Sequence, residues 1–508
     1  MRNAADEGDT CETVLQSRAQ VFPQRSVPMH RALGRIAAIV LLVSPLAISV
    51  QDACADLNDV AKALGATTVK SIQYTGNGGV YAVGQSAVPG LPWPEYNIKS
   101  HTRSVNYDTA SLRDEQVRTQ ALDPPRSGGV QPIRGEQRLN LQVSGDLAWN
   151  IVGEQPVAAP IALADRQFQL WATPHGVVKA AMARNATMQG RTIAFSVPGR
   201  FSLKATVSED NLIARVEGLV PNAVVGDIPV VIDYWDYRDF GGVKFPTRIR
   251  ETTAGYPTLD LLVSDVRPNA AVDIQAPDAV RQDSNPYARV TTQKVADGVW
   301  YLTGGTHHSV VIEMKDYVIV VEAPLNEERS VAVIAETRKL VAGKPIRYVV
   351  NSHHHFDHAG GLRAFVAEGV TVITQEVNRA FLAQALAAPA TIRPDLQAKS
   401  GRPPMVEGVG ERRTLTDGTR TVEIYRIQGI LHHDGMLMVY LPKEKLLSQA
   451  DAYTPVAPNA TPPTPPSPYN VALADNIARL KLDVGDLLPL HGRLVPVAEL
   501  YRTIGRAP

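Results

Sequence analysis

Four metal-ligating side chains fall within six residues at His353-x-His355-x-Asp357-His358, directly after the apolar run Ile346-Arg-Tyr-Val-Val350. Few folds accommodate that spacing. The β-branched and aromatic run reads as a buried strand, and Gly360-Gly361 followed by Leu362-Arg-Ala-Phe-Val-Ala-Glu368 reads as a helix opening. The ligands therefore sit on a strand-to-helix turn. Side chains alternate in extended backbone, so His353 and His355 point the same way and can share one cation, while Asp357 and His358 can serve a second. Glycine at the helix start is expected to let it pack close to the metals. Imidazole with carboxylate suits zinc, with iron or manganese as alternatives, and leaves room for a bound water. A solvated histidine cluster or a tag would not carry an aspartate and a diglycine at fixed offsets.

This motif after a strand resembles that of the metallo-β-lactamase superfamily, and the later sequence follows the order of that family's motifs. Gly429-Ile-Leu-His432-His-Asp-Gly435, before the strand-like Met436-Leu-Met-Val-Tyr440, resembles the third-histidine loop. The family places a glycine three residues after the ligand, which selects His432 over His433. Leu446-Leu-Ser-Gln-Ala-Asp451 resembles the strand leading to a bridging aspartate, with Ala450 where the family usually has glycine, and Leu487-Leu-Pro-Leu-His491-Gly492 resembles the last histidine motif. By resemblance, His353, His355 and His432 would hold one metal, Asp357, His358 and His491 the other, and Asp451 would bridge them. The resemblance implies a dinuclear hydrolase with two Zn2+ (Fe or Mn as alternatives), a metal-bridging hydroxide that attacks a carbonyl, and Asp357 as a catalytic ligand that also moves a proton.

Two departures matter. Some lactamases of this superfamily use a cysteine ligand, and the only cysteines here are Cys11 and Cys54. The early strand Asp316-Tyr-Val-Ile-Val-Val-Glu322 ends on glutamate where the family commonly has aspartate, so Glu322 is a candidate for orienting a ligand histidine by hydrogen bonding. Further candidates for substrate or supporting contacts are His307 and His308 after Gly304-Gly305, His433 beside His432, and Tyr453 two residues past Asp451. His354 is expected to point away.

The favoured substrate is a small molecule carrying a carboxylic ester, lactone or amide, with a β-lactam as a lesser option. Three alternatives stand beside it: a mononuclear-iron sulfur dioxygenase, a sulfate-ester or phosphodiester hydrolase, and a non-catalytic periplasmic ligand-binding protein. Lys+Arg and Asp+Glu are equal at 51 each, which supplies no basic bias for a nucleic-acid partner.

The 508 residues, 44% hydrophobic and 20% charged, suit two or three globular domains. Arg31 and Arg35 precede the apolar stretch Ile36 to Val50 and the small-x-small site Ala53-Cys-Ala55, the pattern of a secretory signal peptide cleaved near Ala55. Met29 is a candidate start. Cleavage would leave a periplasmic or secreted chain with no cysteine and no stable membrane span; Gln51-Asp-Ala-Cys54 lacks the apolar residue of a lipobox.

Residues 56–285 read as a β-rich antiparallel domain, with strands near Phe201–Val207, Leu212–Val216, Pro229–Tyr237, Lys244–Arg250 and Leu259–Val263 separated by Gly, Asp and Asn turns. Tyr234 to Pro246 resembles the curved half-barrel of periplasmic lipoprotein carriers, and a packing partner for the second domain is the expected role. Gln282-Asp-Ser-Asn-Pro286 reads as a linker. Residues 286–508 then alternate strands and helices, so the fold class is α+β: a β-rich domain followed by the αβ/βα sandwich that the resemblance implies. Two irregular stretches, Pro389 to Gly410 and the proline-rich Tyr453 to Tyr469, are expected to form rims of the site.

Overall fold

The computed structural model describes residues 56–129, 131–283, 285–458 and 460–507. The leader and signal peptide read from residues 1–55 lie outside them. Among the described residues no helix is long and apolar enough to cross a membrane.

Alternating burial builds the first half. In Phe201–Val207, for instance, Phe201, Leu203, Ala205 and Val207 are buried while Lys204 is exposed, the period of a strand with one face on a core. Thirteen such strands form one sheet in which two antiparallel meanders join edge to edge, Ser71–Tyr81 pairing with both Glu95–Asn106 and Tyr256–Pro268. Register shifts at Gly76, Gly78, Ser100 and Thr252 mark bulges, which bend the strands. Strands from both meanders accordingly line a single cavity, with Leu112 and Leu141 from one and Ile228 and Leu259 from the other.

The sequence reading named only strands in this β-rich region, and the structure adds helices to them. Leu57–Leu64, Leu163–Trp171 and Pro174–Ala183 are helices, the last capped by Thr173 with Pro174 in its first turn. Their apolar faces join the core of the sheet through Val60, Leu64, Phe168 and Val177. Part of the expected linker is ordered too, as the helix Asp278–Gln282.

The second half contains two further sheets. Four antiparallel strands from Thr291–Ala296 to Val318–Val321 continue in parallel into Ile346–Val350, Thr371–Gln375 and Val406–Val409. A six-stranded sheet runs from Arg412–Thr416 to Val495–Pro496. Ile312, Val350, Met438 and Leu447 meet in one core between the sheets. Glu327–Leu340, Leu362–Ala367 and Glu376–Ala387 cover the outer face of one sheet, and Pro468–Leu480 and Val497–Thr503 cover the other. That order of layers is an αβ/βα sandwich.

The stretch after Pro389 does not form a rim of the metal site. It docks on the first sheet instead: Asp227 donates its N–H to the Pro389 carbonyl at 3.0 Å and accepts from the Thr391 N–H at 2.7 Å. The proline-rich stretch lies beside the last histidine motif, where Pro455 packs on Gly492 and the Val456 carbonyl accepts from Arg493 at 3.2 Å.

Candidate metal centre

Ile346–Val350 ends three residues before the first histidine, and the short helix Phe356–Ala359 starts just after His355. The diglycine does not pack against the metal ligands. A Cβ at Gly360 would stand 2.0 Å from the Leu325 carbonyl oxygen and one at Gly361 2.9 Å from that of Ala323, so both glycines admit the backbone that follows Glu322.

Side chains from five loops converge there. His353, His355, His432 and Asp451 form one group, and His307, Asp357, His358 and His491 a second; within each, the ligand atoms lie within 4.8 Å of one another. Asp451 reaches both groups, with Oδ2 2.9 Å from His432 Nε2 and Oδ1 2.9 Å from His491 Nε2. Against the upward push of burial, the imidazoles of His358, His491 and His432 hold its carboxyl well below the usual carboxylate range.

The far nitrogens of the rings are fixed by hydrogen bonds. His358 Nδ1 donates to Glu322 Oε2 at 3.3 Å, and His491 Nδ1 donates to the Thr306 carbonyl at 3.1 Å. In the neutral rings that bind metal, both Nε2 atoms are thereby left as acceptors, and they face each other at 3.1 Å. Two lone pairs at that distance repel unless a cation lies between them. His355 donates Nε2–H to the Ser86 carbonyl at 2.9 Å, which leaves its buried Nδ1 without a hydrogen-bond partner. Burial and the neighbouring imidazoles push His353 down to about 3 and His307 to about 4, so both rings are neutral, the form that binds metal. This donor set fits divalent cations of the zinc type.

Glu322 is fully buried at φ +74°, a strained backbone for a residue other than glycine, and its other oxygen accepts from Asn351 Nδ2 at 3.2 Å. Glu322→Gln should lower metal affinity about 10–100-fold with little loss of stability. Titration with a competing chelator measures this, and unchanged affinity would remove Glu322 from the site.

The remaining candidates fall in different places. His307 belongs to the second group, its Nε2 3.3 Å from Asp357 Oδ2. His308 turns away and bonds the Gly492 carbonyl at 2.8 Å. His433 accepts from the Gly435 N–H at 2.9 Å and pairs with His354, whose other nitrogen lies 3.2 Å from Ser86 Oγ; fully buried, His433 has no path to a substrate. Tyr453 supplies no oxyanion contact, because it is buried in the core between the sheets with its hydroxyl on Thr503 at 3.2 Å.

Residues of the first half complete the centre, and none of them carries a motif that marks it in the sequence. Gln85 Nε2 donates to Asp357 Oδ1 at 2.7 Å, the Ser86 carbonyl fixes the His355 tautomer, and Gln131 Nε2 donates to the Asp451 carbonyl at 3.1 Å. Gly84, at φ +74°, lies so close to Phe356 that a Cβ there would be 2.2 Å from the ring.

Residues 302–491 match the family model described as the metallo-beta-lactamase superfamily. Among solved structures, a metallo-beta-lactamase from Pontibacter korlensis is similar at 20% identity, with 43% of this chain and 98% of that one covered and a TM-score of 0.33. The metallo-beta-lactamase FIM-1 from Pseudomonas aeruginosa, in its mono-zinc form, is similar at 17% identity, with 42% and 93% covered and a TM-score of 0.33. No curated protein matches the chain. With the sandwich and its two His/Asp groups in place, the part of the chain from residue 302 to 491 belongs to the metallo-β-lactamase superfamily.

Proposed function

We propose that this chain is a dinuclear, zinc-dependent hydrolase of carboxylic esters, lactones or amides. The observation that carries this reading is Asp451, buried between two groups of imidazoles and within 2.9 Å of one ring from each. The second group offers a donor set for a second cation beside the first. Divalent cations bound there would supply an activated water and polarise a carbonyl oxygen, so no serine or cysteine nucleophile is required.

The protein's own groups orient and exclude. Glu322, Thr306 and Ser86 hold three ligand histidines in one tautomer each. Asp357 keeps 28% of its side chain exposed, whereas those of His358 and Asp451 are at most 1% exposed. Asp357 is thus the ligand placed to exchange a proton with a substrate, and Gln85 steadies it. The leader read from residues 1–55 assigns this activity to the periplasm or the medium.

Elemental analysis of the purified protein should give about two zinc equivalents, and chelation followed by zinc should remove and restore turnover across a panel of esters, lactones and amides. One iron equivalent with oxygen uptake would sink the proposal, and so would selective turnover of sulfate or phosphate esters.

A further inference from the structure

A cavity of about 580 Å3 runs from the metal centre into the first half of the chain. Asp357 and Phe356 stand at one end, and the strands of the thirteen-stranded sheet form the walls. Its volume lies within the range of small-molecule sites. It reaches Asp357, the most exposed residue of the two His/Asp groups. His353, His355, His358, His432 and Asp451 are fully buried, whereas Asp357 is only half-buried and lines this cavity.

The walls define the occupant. Val80, Leu112, Leu141, Val220, Val230 and Leu259 present apolar surface along its length. Most of the charged groups among them are engaged, and Asp165 adds a further carboxyl to the wall. Arg103 donates to Asp114 at 2.6 Å, and Arg166 donates to the Gln142 and Trp149 carbonyls at 2.9 and 2.6 Å. Glu251 accepts from Gln169 at 2.8 Å and from Thr258 at 2.9 Å, and burial pushes its carboxyl up to about 7. An anionic head group entering here would shed its water and meet Asp114, Asp165 and Glu251 with both guanidinium groups already engaged, a cost that disfavours it. An apolar tail would lose only contact with water.

We propose that this cavity is the substrate pocket of the metal centre, and that it takes a carboxyl derivative with an apolar tail and no anionic group. The scissile carbonyl sits at Asp357 and the tail lies under the sheet. The first half of the chain is then a substrate-binding domain as well as a packing partner. The inference rests on the hydrolase reading.

Two measurements test it. Decanamide, an uncharged amide with a long tail, is titrated calorimetrically into the zinc-loaded protein. The kcat/KM values for 4-nitrophenyl octanoate and 4-nitrophenyl acetate are compared in wild type, Leu141→Trp and Val83→Trp. Leu141 and Val83 both line the cavity, and Val83 is 39% exposed, so that folding is not at stake there. Decanamide should bind wild type. Each variant should weaken binding and lower the octanoate-to-acetate ratio about tenfold or more, at wild-type zinc content.

Equal turnover of the two esters without decanamide binding would overturn the pocket, and so would variants whose ratio equals that of wild type. If decanamide binds and the variants abolish binding, but neither ester is turned over, the pocket stands and the hydrolase reading fails.

Discussion

Asp451→Asn should strip the centre of most of its metal and lower kcat/KM about a thousandfold or more, equivalent to several kcal/mol of lost transition-state stabilisation. The substitution keeps the volume of the side chain and removes its charge. Asp451 Oδ2 lies 2.9, 3.2 and 3.5 Å from the Nε2 atoms of His432, His358 and His353, and Oδ1 lies 2.9 Å from that of His491. A neutral amide would bring an N–H donor into a cluster of lone pairs and could not offset two divalent charges. His433→Ala is the control. That ring is equally buried but bonds only Gly435 and His354, so the variant should retain more metal than Asp451→Asn. The reverse order, measured by elemental analysis of both proteins, would mean that the assignment of the third histidine is wrong.

The second large effect lies at Arg329, which is 1% exposed and touches no carboxylate among the described residues. Its guanidinium donates instead to the carbonyls of Arg289, Leu302, Thr303 and His307, the last two at 3.1 and 3.4 Å. Those carbonyls border the loop that carries Thr306 and His307 to the second metal group. Arg329→Met would leave them buried without donors, at about 3–5 kcal/mol, and lower the unfolding midpoint by about 5–10 °C. Arg329→Lys should rescue little, because an ammonium cannot bridge carbonyls set along a fork. Arg338, on the same helix with its side chain 58% exposed, is the comparison: Arg338→Met should change stability by less than about 0.5 kcal/mol. Equal melting of the two variants would refute the clamp.

Seven of the eight residues in the two His/Asp groups, all but His307, stood out in the sequence as candidate ligands for two different reasons. His353 to His358 announce themselves locally, since four ligands on one turn have few bland explanations. His432, Asp451 and His491 carry no such signal, and only their order relative to the first motif picked them out. Gln85 and Ser86 were invisible to both kinds of argument. Gln85 meets Asp357 across 272 residues of sequence, and neither residue type marks a metal site.

The missed helices have a physical cause as well. In Leu163–Trp171 the buried face includes Arg166 and Gln169 beside Leu163, Phe168 and Leu170, so polar residues broke the apolar period expected of a helix. In Pro174–Ala183 the leading proline and the nearby Gly176 read as turn formers, whereas here Pro174 occupies a first-turn position that lacks nothing by having no N–H.

The hydrogen bond from His355 to the Ser86 carbonyl has a consequence for how the molecule matures. Until the first half has folded and seated itself, nothing holds that imidazole with Nδ1 free, and a cation arriving early would find a ring able to present either nitrogen. Biogenesis should therefore follow a fixed sequence of sheet, seating and cation. Zinc uptake in a pulse-labelled chain becomes a clock for the last event, and separately synthesised halves should capture the ion only after they have found each other.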